Sequence, residues 1–311
     1  MRPVRDIDHA IDAYIGDLAR RGKTESTRRK YREFLDGFAA HVEQLDIDAI
    51  TADHCRRHLD QWTRNRPPAA GRKGIRPPAS VGTLALHNTI LRRFFAFLHE
   101  DLEAIPANPM ERVKRPRRKR PEDITVVSVS DSDVKRMFDA CEDWQELLCL
   151  SVVGYLGPRR AAASRVRRGD VDLEKGTIRF IEKGGKEPVK PLPDELAAII
   201  RAADENHVWA GPSDYLIPNR RRHRNPERSD KIIWTTIRKL AARAHVRAHV
   251  HALRAAFAVA FDEQYPGRLI ALKELLGHAD IATTLVYLRR KDRAREMETV
   301  RGLSWGSVFP P

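Results

Sequence analysis

Leu275 to Tyr287, LLGHADIATTLVY, reads as the end of one helix, a break, and the start of the next. Leu275 and Leu276 close an apolar turn, and Gly277 follows as the residue that accepts positive φ without steric cost. His278 therefore falls in a turn between helices, and a second helical pattern through Ile281, Leu285 and Val286 carries Tyr287 nine residues later. A tyrosine hydroxyl is a weak nucleophile at neutral pH. To attack anything it needs polarising neighbours and a strongly stabilised transition state.

Working outward, those neighbours are present. Upstream, AHVHALRAAFAVAFDEQ opens a helix with His251 and Arg254 three residues apart, so both project from one face. Further upstream lies GPRRAAASRVRRGDVDLEKGTIRFIEKGGKEPVKPLP, which contains Arg159. Within it Thr177–Ile181 alternates as a strand, residues 183–186 form a turn, and Val189–Leu192 returns, which predicts a β-hairpin with Lys183 at its tip. Two arginines, a lysine and two histidines around a tyrosine are what in-line attack at a phosphodiester requires. Guanidinium forks bind the non-bridging oxygens as charge builds. A lysine or histidine protonates the leaving alkoxide, and a histidine takes the tyrosine proton. No Asp/Glu cluster is placed to hold a metal ion, so neither metal nor other cofactor is expected.

The whole composition points the same way. The 311 residues suffice for two ordinary domains, and 41% hydrophobic residues predict packed cores. With 57 Lys and Arg against 43 Asp and Glu, the chain carries a net charge of +14, which favours a polyanion, nucleic acid ahead of an anionic membrane. Such a charge also fits a merely basic protein. Three cysteines (Cys55, Cys141, Cys149) lack metal-ligand spacing and read as free thiols in a reducing compartment. No run has transmembrane length and MRPVRDIDHAID lacks a signal peptide's apolar region, so a cytoplasmic protein is expected.

The first hundred residues read as four amphipathic helices: 6–22, a second through Tyr31 to Val42, a third after Thr51, and a fourth over Val81–Leu98. The Pro-, Gly- and Arg-rich stretch 64–80 separates the last two. Arg28, Arg29 and Lys30 on the second helix, with His87, Arg92 and Arg93 on the fourth, are the candidate residues for facing nucleic acid. RVKRPRRKR at 112–120, seven of its nine residues basic, reads as an interdomain linker that can also lie along phosphates. Residues 1–113, 114–129 and 130–311 are the expected helical domain, linker and second domain. The latter is mostly helical, with helices after Ser130, at Trp144–Tyr155, 193–203 and 229–246.

These motifs, taken in order, resemble the tyrosine recombinase (phage integrase) family, which includes the Xer proteins. The family's G-L-R-x-S-E box corresponds to GPRRAA with Arg159 in the arginine place, closed by Asp170-Val171-Asp172. EKGGKEPVKPL corresponds to its hairpin lysine box and gives Lys183. His251-Ala252-Leu253-Arg254 is its H-x-L-R box, and Leu276-Gly277-His278 through Thr283-Thr284 to Tyr287 matches the last box residue for residue.

The resemblance implies a mainly α fold: a SAM-like four-helix core-binding domain, and a mostly helical catalytic domain with a small antiparallel sheet, the two clamping duplex DNA. It implies metal- and ATP-independent strand exchange through a 3′-phosphotyrosyl bond at Tyr287, on a homo-tetramer, or a hetero-tetramer with a related recombinase, at paired sites. The associated biology is DNA recombination and integration, as in mobile elements. By the same resemblance the catalytic set is Arg159, Lys183, His251, Arg254, His278 and Tyr287. The opening on core-binding helices predicts a simple recombinase, Xer-like or transposon-type, without an arm-site domain, and the tail after Arg289 is a candidate either for docking in a neighbouring protomer or for a solvated cap helix.

Two departures stand out. Ala162 replaces the box glutamate, between atypical neighbours Pro158 and Arg160, which removes a support expected for Arg159, and Ala255 follows the H-x-L-R box where histidine is common. Two other readings stay open at this point: a type IB topoisomerase that relaxes supercoils, and a non-catalytic DNA-binding regulator on the same fold.

Overall fold

The structure, a computed structural model, describes residues 6–43, 45–64, 78–117, 129–182, 185, 187–219 and 230–288. The chain divides into two compact units, Met1–Arg120 and Pro121–Pro311. Both are built mainly of helices.

The first unit contains α1 (Ile7–Arg20), α2 (Glu25–His41), α3 (Ala52–Arg64) and α4 (Val81–Ala96). The Asp6 carboxylate caps α1 by accepting from the Asp8 amide at 2.9 Å, and Gly22 turns the chain out of it at φ 68°. The faces of α1 and α2 bury Ile11, Tyr14, Leu35 and Phe38, which meet Leu91, Phe94 and Phe95 of α4. The fourth helix was expected to run to Leu98. It ends instead at Ala96 in a π-helical turn, Phe97–Asp101, which keeps both Phe97 and Leu98 buried.

That packing corrects one assignment. His87 belongs to the inward stripe of α4 with Leu91 and Phe94, by helical spacing. Its ring stacks on Phe34 at 4.0 Å and meets the edge of Trp62 at 4.1 Å. A ring only 7% exposed between two aromatics is a core residue, not a DNA-facing one. Arg92 is half-buried and donates to the Val113 carbonyl at 2.9 Å, tying α4 to the segment that leaves the unit. Arg29, Lys30 and Arg93 are exposed, and Arg28 is half-buried.

The second unit is organised on α6 (Trp144–Leu156), whose Leu148, Leu150, Val152 and Val153 are fully buried, a helix apolar all round. Around it lie α5 (Asp131–Asp139), α7 (Arg160–Arg165), α8 (Asp194–Glu205), α9 (Lys231–Arg243) and α10 (Val250–Gln264). Two short helices, α11 (Leu269–Leu276) and α12 (Ile281–Leu288), pack on α10. The expected hairpin is present as β2 (Thr177–Arg179) and β3 (Val189–Pro191). A third strand, β1 (Val171–Asp172), extends it to an antiparallel sheet in the order β1-β2-β3. Two residues are too few for alternation to show, which is why no pattern in the chain announced β1. Among the described residues no helix is long and apolar enough to cross a membrane.

Candidate active site

Two helix ends form the floor of the site. α6 stops at Gly157 and α11 at Gly277, both left-handed, with φ of 53° and 63°. The last carbonyls of a helix have no intrahelical partner and carry its negative dipole end, so they are ready acceptors for a cation. Arg254, 2% exposed, occupies that position. It donates from Nη1 to the Gly157 carbonyl at 2.6 Å and from Nη2 to the Leu276 carbonyl at 2.7 Å. Only the rigid guanidinium fork can reach both at once.

Arg159 is wired to the same corner. It is the last residue before α7, in extended conformation, with its side chain 41% exposed. Nη2 donates to the Gly277 carbonyl, and Nη1 pairs with the carboxylate of Glu182, just beyond β2. That carboxylate rests on Gly277: a Cβ there would meet Glu182 Oε2 at 2.8 Å and Arg159 Nη1 at 3.2 Å. Gly277 therefore serves both as the helix stop and as the surface on which the ion pair lies. The support expected from position 162 is absent, since Ala162 is buried and apolar, and Glu182 supplies a carboxylate from the hairpin instead.

His278 follows immediately. Its Nε2 faces Arg254 Nη2 at 2.8 Å and its Nδ1 lies 2.8 Å from Thr284 Oγ1. Burial, reinforced by the Arg254 and Arg159 charges, lowers its pKa to about 4. The Tyr287 ring sits 5.8 Å from the His278 ring, centroid to centroid, and its phenol interacts with Arg254, favouring the charged guanidinium. His251, one turn before Arg254 on α10, is exposed at the rim of the site. Burial first, and then the Arg254 charge, lowers its pKa.

Of the sequence-predicted set, Arg159, Arg254, His278 and Tyr287 converge, with His251 at their edge. Lys183 lies outside the described residues. Three participants went unrecognised in the sequence. Thr284 stood out only as part of a motif, although it shares a helical face with Tyr287 at i, i+3 and is fully buried. Glu182 and Lys190 sit on the hairpin, and burial lowers the Lys190 ammonium to about 8. Their signal was available in strand alternation, which puts 178, 180 and 182 on one side. Among the described residues no group of three or more His, Cys, Asp or Glu side chains could hold a metal ion.

Residues 128–294, just over half of the chain, match the phage integrase family. The chain belongs to that family. Among relatives of this integrase-family chain, tyrosine recombinase XerA of Thermococcus onnurineus is 32% identical over 289 residues, covering 91% of each chain. The chain is thus a Xer-like, tyrosine-type site-specific recombinase. Solved structures share its fold at low identity. A lambda integrase dimer bound to a COC′ core site superposes with a TM-score of 0.70 at 15% identity, over 98% of this chain and 80% of that one. A lambda integrase tetramer bound to a Holliday junction gives 0.67 at 15% identity, over 88% and 77%.

Proposed function

We propose that this recombinase cuts and rejoins duplex DNA through a 3′-phosphotyrosyl intermediate at Tyr287, with no metal ion or ATP. The observation that carries the reading is the convergence of two guanidinium forks, His278 and Tyr287 on the single turn 276–278. The Tyr287 oxygen attacks the scissile phosphorus, the bond from phosphorus to the 5′-oxygen breaks, and the ester bond is conserved as phosphotyrosine. Arg159 and Arg254 stabilise the charge that builds on the non-bridging oxygens, with His278 holding Arg254. His251 accepts the phenolic proton and Lys183 protonates the leaving 5′-oxygen. A 5′-hydroxyl from a partner strand reverses the step, so rejoining needs no external energy source.

Residues 1–113 contact duplex DNA through basic helix faces, Arg28, Arg29, Lys30, Arg92 and Arg93 being the candidates. The net charge of +14 supports this. Four protomers, of this chain alone or with a related recombinase, act on paired sites, a reading to which the lambda integrase tetramer lends support.

The test is a suicide-substrate assay. Purified protein without metal or ATP is mixed with nicked duplexes carrying candidate sites, and a denaturing gel is inspected for a covalent adduct. A band that Tyr287→Phe abolishes supports the reading. DNA binding without any band favours the regulator instead, and relaxation of supercoils by a monomer favours the topoisomerase.

A further inference from the structure

The hairpin inverts the usual strand pattern. Ile178 pairs with Lys190 and Arg179 with Val189, so Ile178, Phe180 and, two residues on, Glu182 share a face with Lys190. Ile178 and Phe180 are fully buried, as a sheet face on the core should be. Yet Lys190 is 3% exposed on that face while its neighbour Val189 is 62% exposed. A one-residue slip would bury the valine and free the lysine. The chain instead keeps an ammonium inside, its Nζ 4.9 Å from the Phe180 ring centroid and without a hydrogen-bond acceptor among the described residues.

Glu182 is its counterpart. The side chain is 9% exposed, Oε2 pairs with Arg159, and Oε1 has no hydrogen-bond partner among the described residues. Either charge alone would be costly so far from water. Neither is alone: the charges that act on Lys190 are those of Glu182, Arg254 and Arg159.

We infer that Glu182 and Lys190 form a buried charge pair, carried by the hairpin, that positions Arg159 for the scissile phosphate. The inference rests on the phosphodiester-cleaving reading of the site. Ala161, Ala162 and Ala163, which follow in α7, offer Arg159 no side-chain acceptor, and its guanidinium is held by Glu182 and the Gly277 carbonyl. Lys190 in turn interacts electrostatically with Glu182 without drawing it off Arg159, since the ammonium makes no hydrogen bond to the carboxylate. Among the described residues, Arg159, Arg254 and Lys190 against Glu182 leave two positive charges, which match the two negative charges of a pentacovalent phosphate. Without Lys190 only one would remain. Lys190 is too buried to touch DNA, and both residues act through Arg159.

Single-turnover cleavage of a nicked suicide duplex, with DNA affinity and thermal melting measured alongside, tests the pair in the full chain. Glu182→Gln is expected to slow cleavage about 30-fold and Lys190→Met about 10-fold, both with unchanged affinity, and the double variant to fall no further than Glu182→Gln. Glu182→Asp should recover part of the rate. A wild-type rate in Glu182→Gln, or single effects that multiply in the double variant, overturns the inference. Failure of the underlying reading looks different: the wild-type chain itself forms no Tyr287-dependent adduct. A crystal structure of Glu182→Gln without DNA decides the inference independently of activity. An Arg159 guanidinium shifted off the Gly277 carbonyl supports it, and an unmoved one overturns it.

Discussion

Arg254 and His278 share a hydrogen bond of 2.8 Å that can run in only one direction. A guanidinium has donors and no acceptor, so His278 Nε2 must offer its lone pair and the ring proton must sit on Nδ1. There it donates to Thr284 Oγ1 at 2.8 Å. The DNA-free site thus holds His278 neutral and in one tautomer, as an orienter of the arginine and not as an acid.

Thr284→Val keeps the shape of the side chain and removes the acceptor for Nδ1–H. Cleavage is expected to fall about 10-fold, the equivalent of roughly 1.4 kcal/mol, with little change in DNA affinity. Nitrogen-15 spectra of His278 should change from one tautomer to a mixture. A single Nδ1–H tautomer in the variant would show that Arg254 alone fixes the ring.

Gly277→Ala separates two costs. The left-handed backbone alone should cost about 1 kcal/mol, and the same substitution at Gly22, where an added Cβ meets nothing within 4 Å, measures that part. At Gly277 the added carbon also collides with the Glu182 carboxylate. Thermal melting should therefore drop further for Gly277→Ala than for Gly22→Ala, and only the former should lose cleavage. Equal drops with full cleavage would mean that Glu182 moves aside freely.

The first unit should be acid-labile through His58. Burial, helped by His41 and His87, lowers its pKa from 6.5 to about 3, and the ring is 3% exposed against Phe34 and Phe38. The unfolded chain takes up a proton near pH 6.5 that the folded chain refuses, so stability is fully present above that value. It falls by roughly 1.4 kcal/mol per pH unit as pH drops from about 6.5 towards 3. Hydrogen-exchange protection of α2–α4 between pH 7 and 4.5 should show this slope, and His58→Leu should flatten it. Parallel slopes in both proteins would assign the lability to other groups.

Salt dependence distinguishes the basic residues of α2 from the enclosed His87 of α4. Replacing both Arg29 and Lys30 by alanine should lower the slope of log K against log salt by about 0.9 for each phosphate these side chains neutralise. His87→Phe should leave the slope unchanged, since that ring is enclosed by Phe34 and Trp62. Anisotropy titrations at several salt concentrations read both.

The helices of each unit were legible because their apolar stripes repeat along the chain, and Leu276-Gly277-His278 announced a helix stop with a histidine beyond it. What the residues do to one another was less legible. Arg254 is held by main-chain carbonyls, which every residue possesses, so no side-chain pattern could point to Gly157 or Leu276. Glu182 falls between the expected strand and the expected turn, and only the inward direction of Phe180 gives it a side. His87 is grouped with Arg92 and Arg93 on the sequence alone, although its spacing to Leu91 and Phe94 already favours the core.

The wiring of both arginines to helix-terminal carbonyls makes the site sensitive to the length of the chain more than to its spelling. Side chains along α6 and α11 can drift so long as they pack, because the acceptors are main-chain atoms. One residue inserted within α11 would turn its last carbonyl by about 100° and advance it by about 1.5 Å, detaching Arg254 and Arg159 together. The site therefore tolerates substitutions between residues 269 and 276 that preserve the packing of Leu272 and Leu276, but not a change in the number of residues.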